Sequence, residues 1–247
     1  MDESEALRRA AEEREDRDRG IVKDPDRYVR HRGKLYSLAE MHSIFALIAP
    51  RSGETIADLG CGVGRVGFVL AQRVGRVIGV DFSTESIGIF RARCAQRRTS
   101  NIEAHVADLR QLPIAENSCD AAISIQVIQH IPSDAWRLDA LREARRILKP
   151  GGRFAFTVYQ FGTMIRGTKE GDFKGRGYRL AFTPEEVLAV LAQAGFIETR
   201  VTGVLHLPHP LLRYLPGSLW PLEAYMSRAG IMTPRATYLL GYGVKPD

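Results

Sequence analysis

The chain alternates between short apolar runs and longer segments in which apolar residues lie three or four positions apart. The short runs are typical of strands covered on both faces, and the spaced segments are typical of amphipathic helices. Together they predict an α/β fold with a doubly wound, mostly parallel sheet and right-handed crossovers. The seven predicted strands are Thr55 to Leu59, Arg76 to Asp81, Asn101 to Val106, one within Cys119 to Ile128, Arg153 to Tyr159, Phe196 to Val204 and Thr237 to Val244.

The predicted helices carry boundary signals of their own. Those between strands span about Arg65 to Arg73, Ser83 to Arg97 and Ser133 to Leu148. Ser37-Leu-Ala-Glu40 has the pattern of a capping box for a helix ahead of the first strand. Thr183-Pro-Glu-Glu186 combines an N-cap, a proline at the first helical position and a capping-box acid, so it predicts a further helix.

The pattern also divides the chain into a charged amino-terminal part and one large domain. Residues 1–36 predict a charged arm or cap, whose first 20 residues form either a solvated helix without chemistry or a disordered arm. Residues 37–247 predict a single domain with insertions at about 161–182 and 205–235. The first insertion is rich in Gly, Arg and Lys, which indicates a mobile basic loop. The second predicts a lid-like segment with a small helix near Leu219 to Ala229.

Composition changes this picture little. The net charge of +6 permits an anionic substrate but does not require nucleic acid. The three cysteines, Cys61, Cys94 and Cys119, are an odd number without metal-binding spacing, so they predict reduced thiols in a cytoplasmic protein and no metal site. The amino terminus is charged rather than apolar, and no apolar stretch reaches the length that crosses a bilayer.

A glycine-rich turn between the first strand and the next helix is the strongest chemical signal. Gly60, Gly62 and Gly64 alternate there, and glycine lets a backbone approach a ligand because it has no Cβ and tolerates positive φ. We expect the N–H groups at the helix start to point at that ligand. The stretch Gly62-Val-Gly-Arg-Val-Gly67 also matches the dinucleotide pattern G-x-G-x-x-G. That interpretation buries Asp58 inside the strand, whereas a turn starting at Gly60 leaves Asp58 at the strand tip beside the ligand.

Asp58-Leu-Gly-Cys-Gly-Val-Gly64 resembles the first motif of class I S-adenosylmethionine-dependent methyltransferases. Ala107-Asp-Leu109, the region from Leu112 to Pro132, and Leu148 to Phe154 extend the resemblance to about Gly53 to Phe196. The last two segments are similar to the ubiquinone/menaquinone-biosynthesis-like small-molecule branch. The resemblance implies a Rossmann-like methyltransferase fold, S-adenosyl-L-methionine as cofactor and S-adenosyl-L-homocysteine as product.

The resemblance also implies which residues hold the cofactor. A carboxylate at Asp81, the tip of the second strand, suits both ribose hydroxyls because it accepts two hydrogen bonds. Asp108 matches the acid that takes the adenine amino group, and Gln126 lies where the family's backbone runs along the methionine portion. The full implied set is Asp58, Gly60, Cys61, Gly62, Asp81, Phe82, Ser83, Asp108, Leu109 and Gln126.

The acceptor side has weaker signals. A sulfonium methyl is already an activated electrophile, so transfer needs alignment and exclusion of water, with a general base when the acceptor is a hydroxyl. His130, at the carboxyl end of the fourth strand, is the candidate base, and a structural or helix-capping histidine is the alternative. The further substrate-binding candidates are Tyr36, Tyr178, His206 and His209.

These observations favour methyl transfer to a small-molecule acceptor, with a hydrophobic acceptor and O-, N- or C-methylation left open. The alternatives are an RNA or protein methyltransferase and a cofactor-binding homologue without catalysis. DNA is not expected as a partner. RNA is disfavoured because Gln126-Val-Ile-Gln-His130 stands where base-methylating enzymes carry an Asn-Pro-Pro-Tyr type motif. The apolar stretch from Leu205 to Met226 leaves a membrane surface or a prenyl-quinone acceptor open, and the oligomeric state is not predicted.

Overall fold

The computed structural model describes residues 2–26, 34–163, 169–172, 178–206, 216–230 and 233–247. Its helices are α1 (Glu3–Lys23), α2 (Lys34–Ile48), α3 (Gly67–Leu70), α4 (Thr84–Arg97), α5 (Asp134–Ile147), α6 (Pro184–Gln193) and α7 (Trp220–Arg228). Its strands are β1 (Thr55–Leu59), β2 (Arg76–Asp81), β3 (Ile102–Val106), β4 (Cys119–Ile125), β5 (Leu148–Tyr159), β6 (Glu170–Asp172), β7 (Tyr178–Leu180), β8 (Ile197–Val204) and β9 (Tyr238–Val244). Short 3-10 helices lie at Ile128–His130, Gly217–Leu219 and Thr233–Arg235.

One sheet contains seven of these strands in the order β3-β2-β1-β4-β5-β9-β8. The first five pair in parallel, and β9 runs antiparallel to both β5 and β8. The chain winds from β1 outward to β3 and then returns to the other side of β1 with β4. Such a reversal opens a crevice at the carboxyl ends of the two central strands. The predicted doubly wound, seven-stranded, mostly parallel sheet is confirmed.

Both faces of the sheet are covered, which explains the continuous apolar runs. Ala57 and Leu59 of β1 pack into a cluster with Leu141 of α5 and Leu191 of α6. Ile56, on the opposite face, packs into a second cluster that includes Ile44 and Ile48 of α2, and Leu70 of α3. Because successive strand residues point to opposite faces, a strand between two such clusters shows no polar alternation.

The helix boundaries agree with the predictions at α4, α5 and α6 and differ at α2 and α3. Thr183 and Glu186 form the predicted capping box at α6, with Glu186 N donating to Thr183 Oγ1 at 3.4 Å and Thr183 N to Glu186 Oε2 at 2.8 Å. The capping box predicted at Ser37 is wrong, because α2 begins at Lys34 and Glu40 is fully buried in its middle. Helix α3 is also shorter than predicted, covering Gly67–Leu70.

The two predicted insertions contain regular structure where the chain is described. Glu170–Asp172 and Tyr178–Leu180 pair as a small antiparallel hairpin, so the prediction of a loop throughout 161–182 is wrong. Residues 164–168 and 173–177 lie outside the described part. Helix α7 falls where a small helix was predicted near Leu219 to Ala229. No helix among the described residues is long and apolar enough to cross a membrane.

Candidate active site

A cavity of about 380 Å³ opens at the carboxyl ends of β1, β2 and β4. Its volume lies in the range of roughly 300–1,000 Å³ that is usual for small-molecule sites. The fold brings nearly all the residues predicted to bind a cofactor to this one space, together with the candidate base. Those lining it are Asp58, Gly60, Cys61, Gly62, Asp81, Phe82, Asp108, Leu109, Gln126 and His130.

The glycine turn closes one side of the cavity. Gly60 has φ +81°, and a Cβ there would stand 2.1 Å from Val127 Cγ2, so only glycine fits. Gly62 has φ +53° and no heavy atom within 4 Å of its Cβ position, which leaves room beside the backbone. The amides of Gly60 and Cys61 donate to the Val80 carbonyl at 2.7 and 3.0 Å. These two amides are therefore used within the fold, and the expectation for the N–H groups at the helix start stays a prediction.

Asp81 stands at the end of β2 with its carboxylate held by two backbone amides. Gly62 N donates to Oδ2 at 2.8 Å, and Ser83 N donates to Oδ1 at 2.9 Å. Burial raises the pKa of this carboxyl, although the two amides act in the opposite direction. Each carboxylate oxygen still has a lone pair available, so a fixed acceptor for a diol is present.

Asp58 is buried at the end of β1, and its Oδ2 has no hydrogen-bond partner among the described residues. Burial raises the pKa of Asp58 to about 7; Asp81 also raises it, whereas the nearby Arg65 guanidinium and a hydrogen bond from the Gly67 backbone lower it. An unsatisfied buried carboxylate is costly unless a ligand completes it. A bound molecule with a positive group or a hydrogen-bond donor at this end would complete it.

Asp108 follows β3 at the opposite end of the cavity. Arg110 binds it through Nε at 3.0 Å, Nη2 at 2.7 Å and the backbone N at 2.9 Å. Burial raises the pKa of Asp108, but these bonds outweigh burial and hold it below its usual value. The Arg110 guanidinium also lies 3.7 Å from the centre of the Trp136 ring, which forms part of the wall. Trp136 is a cavity residue that the sequence analysis did not single out.

Gln126 connects the cavity to α2. Its φ is +58°, its backbone N donates to the Thr157 carbonyl at 3.1 Å, and its Nε2 donates to Glu40 Oε1 at 2.6 Å. Thr157 Oγ1 donates to the same Glu40 oxygen at 2.9 Å, and Arg65 Nη2 lies 3.8 Å from Oε2. Sequence analysis missed this role of Glu40. The available signal was its position four residues before Ile44 and eight before Ile48, on the buried stripe of α2.

His130 lies in the 3-10 helix directly after β4 and lines the cavity. Its Nδ1 is 3.1 Å from the carbonyl oxygen of Tyr178. A carbonyl only accepts, so this bond assigns the proton to Nδ1 and leaves Nε2 as the basic nitrogen of the neutral ring. The ring also meets Tyr159 edge-on, with centroids 6.4 Å apart.

Helix α1 lies over the cavity, whereas the sequence left open whether this segment is an arm or a cap. Ala10, Glu13 and Arg17 of its inner face line the same space as Asp58 and Asp81. The interpretation of this segment as a solvated helix without chemistry is therefore wrong. Its outer face does carry the predicted Arg and Glu pairs, such as Arg8 Nη1 with Glu12 Oε1 at 2.6 Å.

Ser83, predicted to contact the cofactor, lies behind the cavity wall instead. Its side chain is fully buried, accepts from Ser86 N at 3.0 Å as the N-cap of α4, and donates to the Asp18 carboxylate of α1. A hydroxyl engaged in this way caps a helix and ties down α1, so we correct its role to a structural one.

Two of the predicted substrate residues also point elsewhere. The Tyr178 ring is buried, and its hydroxyl donates to Glu170 at 2.8 Å; burial raises its pKa to about 12. Its neighbour Arg179 lines the cavity instead. His206 is buried against Glu223 of α7, with Nδ1 2.9 Å from Oε2, and does not line the cavity. The side chain of Tyr36 and all of His209 lie outside the described residues.

The late apolar segment is described only in part. Residues 207–215 lie outside the described chain. On α7, Leu222 and Tyr225 are exposed, whereas Trp220 stacks on His42 with ring centroids 3.8 Å apart. These contacts account for Trp220 as a packing residue between α7 and α2.

Comparison with known proteins agrees with this site. Residues 56–152 match a family model described as a methyltransferase domain. A Mus musculus tRNA (carboxymethyluridine(34)-5-O)-methyltransferase, ALKBH8, is 33% identical over 177 residues, which are 72% of this chain and 25% of that one. A Mycobacterium tuberculosis protein named for S-adenosylmethionine-dependent methyl transfer is 24% identical, over 77% of this chain and 72% of its own.

Solved structures share the fold. One is a protein assigned as a methyltransferase, in complex with the Haloferax volcanii Trm112 methyltransferase activator. It superposes with a TM-score of 0.69 at 24% identity, over 94% of this chain and 98% of that one. The chain spans between 25% and 29% of the length of the first three curated relatives that it matches. Within this chain, residues 56–152 are the segment that is similar to a methyltransferase domain.

Proposed function

We propose that this chain transfers the methyl group of S-adenosylmethionine to a small-molecule acceptor held in the cavity under α1. One observation carries the proposal. The cavity combines a carboxylate fixed at the tip of β2, an unsatisfied carboxylate at the tip of β1 and an open space beside Gly62. These features suit a ligand with a diol, a positively charged end and a flat body between them.

The residues present fit the cofactor at each of its parts. Asp81 would accept from the ribose hydroxyls, Asp108 would face the adenine amino group, and Asp58 with Gln126 would flank the aminoacyl end. When bound, the cofactor supplies an electrophilic methyl group that needs no further activation. The protein's remaining tasks are to align the acceptor, exclude water and receive a proton where one is released.

His130 is the proposed proton acceptor for a hydroxyl substrate. It lines the cavity beside Tyr159, Ile131 and Pro132, so a hydrophobic acceptor would find apolar walls there. The roof formed by Ala10, Glu13 and Arg17 favours a small molecule over a polymer, because a polymer has to reach the methyl group from outside. The narrower resemblance to the ubiquinone/menaquinone-biosynthesis-like branch belongs to this proposal and is supported by the segments 124–132 and 148–154. A cytoplasmic location is likewise proposed, in keeping with the free thiols of the chain.

The test has two stages. Calorimetric titration with S-adenosylmethionine and with NAD comes first; binding of NAD alone would contradict the proposed cofactor. Incubation of the protein with a methyl-tritiated donor and a cell extract comes second. Label in a low-molecular-weight product that chromatography separates from the donor supports the proposal. Cofactor binding without any labelled product would favour the homologue that lacks catalysis.

A second candidate is an RNA acceptor, and the relatives give the specific reason for it. The mouse relative is named as a tRNA methyltransferase and matches 72% of this chain. The structure with a TM-score of 0.69 was solved with a methyltransferase activator as partner, so a protein partner for this chain is part of the same hypothesis. Acid-insoluble label that ribonuclease removes, together with salt-dependent RNA binding, would favour this candidate.

A further inference from the structure

Glu13 differs from the other acids of α1 because it is turned inward. Only 7% of the residue is exposed, whereas the side chain of Glu12 beside it is 60% exposed. Oε1 accepts from Arg17 Nη2 at 2.9 Å, and Oε2 has no hydrogen-bond partner among the described residues. Burying a carboxylate in this way is costly, so a surface salt bridge with Arg17 does not explain it.

The buried carboxylate lies against the candidate base. Glu13 Oε1 is 3.6 Å from His130 Nδ1, the nitrogen that donates to the Tyr178 carbonyl at 3.1 Å. Both acceptors therefore meet the same edge of the imidazole, and both favour the tautomer with the proton on Nδ1. The contact is long for a hydrogen bond, so its main effect is the attraction between a carboxylate and an imidazolium.

We propose that Glu13 is a positioning residue for His130, which holds the imidazole in the basic tautomer and stabilises its protonated form. This inference rests on the proposed function and assigns a part of the active site to the amino-terminal helix. Because the pair would serve proton removal, it also favours a hydroxyl acceptor over one that has no proton to lose.

The step balances without any further reactant. The acceptor oxygen would form a bond to the methyl carbon as the carbon–sulfur bond breaks, and sulfur would keep the electron pair of that bond. The hydroxyl proton passes to His130 Nε2, so a neutral ring becomes an imidazolium beside the Glu13 carboxylate. The thioether product leaves neutral at sulfur, and His130 later returns its proton to solvent.

Other charges face the pair and enter the test. Those acting on Glu13, whose pKa burial raises, are Arg17 of α1 and Arg179 of β7, which lower its pKa, and Asp16 of α1, which raises it. Tyr159 of β5 and Tyr178 of β7 are further polar neighbours of the ring. Arg17 opposes the effect of Glu13, so changing Arg17 and changing Glu13 should move the histidine in opposite directions.

The experiment is a pH titration of the histidine side chains by ¹⁵N-detected NMR on the full chain without ligand. The signal of His130 is assigned by its loss in His130→Asn. In Glu13→Gln we expect its titration midpoint to fall by about one pH unit, because an opposite charge within about 4–6 Å has been removed. Glu12→Gln, which makes the same charge change on the exposed face, should leave the midpoint in place.

Two results would overturn the inference. One is a midpoint that moves equally in Glu13→Gln and Glu12→Gln, and the other is a ring that carries its proton on Nε2 in the neutral state. If Glu13→Gln does not fold, Arg17→Gln serves instead, and the midpoint should rise; an unchanged midpoint would contradict the pairing. Calorimetry distinguishes a failure of this inference from a failure of the proposed function. If the chain binds the methyl donor normally but the His130 midpoint does not shift in Glu13→Gln, only the pairing of Glu13 with His130 is contradicted.

Discussion

The two sides of the cavity differ in how they are built. The proposed cofactor side consists of strand tips and the turns that follow them, so Asp58, Asp81 and Asp108 all come from segments in or next to parallel strands. The roof comes from α1 and from the hairpin that follows β5, and it meets the cofactor side through side chains far apart in sequence. Glu13 reaches His130 from 117 residues away, and Gln126 is held by Glu40 from 86 residues away.

The geometry of one side is therefore set by the backbone of strand tips and turns, and the geometry of the other side is set by the packing of distant segments. The proposed cofactor side is fixed by backbone features of neighbouring strand tips and turns, such as positive φ at Gly60 and the amides of Gly62 and Ser83 on Asp81. The roof depends on which helix packs where. Substitutions on the cofactor side should therefore alter cofactor affinity or folding stability. Substitutions in the roof should instead alter the titration of His130 and the binding of the acceptor.

The largest effect is expected at Asp81. In Asp81→Asn, affinity for S-adenosylmethionine should fall by about 1,000-fold, because two charge-assisted hydrogen bonds of about 1.5–3 kcal/mol each are lost or weakened. Calorimetry gives the dissociation constants. The matched control is Asp139→Asn on the half-exposed face of α5, which should bind normally. Normal affinity in Asp81→Asn would show that the cofactor lies elsewhere.

The next largest effect is a pH-dependent loss of folding stability caused by Asp58. Burial raises its folded-state pKa from 3.8 to about 7. A group with a raised folded pKa contributes stability below its unfolded pKa and loses it as pH rises through the folded pKa. The ligand-free chain should therefore lose up to roughly 4 kcal/mol relative to Asp58→Asn between about pH 4 and pH 7.

Urea unfolding of both proteins across this range measures the difference. A difference that does not change with pH would contradict the buried, ligand-free carboxylate. Addition of the methyl donor should reduce the penalty in the natural chain, since a positive group beside Asp58 favours its ionised form.

Gly60 and Gly62 provide a matched pair within the glycine turn. Gly60→Ala should cost about 3 kcal/mol of unfolding free energy, since it adds backbone strain and a clash with Val127. Gly62→Ala has the same strain but open space around its Cβ, so it should cost about 1 kcal/mol. Its main effect should be weaker cofactor binding. Urea unfolding and calorimetry separate the two, and equal stability losses would contradict the close approach at Gly60.

The smallest effect tests the corrected role of Ser83. Ser83→Ala should cost about 1 kcal/mol, as the loss of a helix N-cap does, while lowering cofactor affinity by less than about tenfold. Thr183→Ala, at the N-cap of α6, is the matched control because it removes the same kind of cap away from the cavity. A large loss of affinity in Ser83→Ala would restore the original prediction of a cofactor ligand.

The sequence was informative where one short segment decides the structure. The strand tips, the positive φ of the glycine turn and the caps at Ser83 and Thr183 all follow from local rules. The local capping pattern at Ser37 was misleading for a physical reason. Glu40 accepts hydrogen bonds from Gln126 and Thr157 and does not cap a helix, so these tertiary contacts override the local capping pattern.

The roof was beyond sequence analysis for a related reason. The many charges of α1 predict an exposed helix, and nothing in its pattern distinguishes the buried Glu13 from the exposed Glu12. Tyr178 and His206 were chosen because their residue types suit acceptor binding, yet partners from distant segments, Glu170 and Glu223, engage their side chains. Residue type and position along the chain do not reveal such partners.

The most direct test of the central claim is a crystal structure with S-adenosylhomocysteine. We expect both ribose hydroxyls within hydrogen-bond distance of the Asp81 carboxylate, the aminoacyl end beside Asp58, and the sulfur on the side of the cavity that holds His130. A nucleoside bound away from Asp81, or a sulfur facing away from His130, would contradict the account of this site.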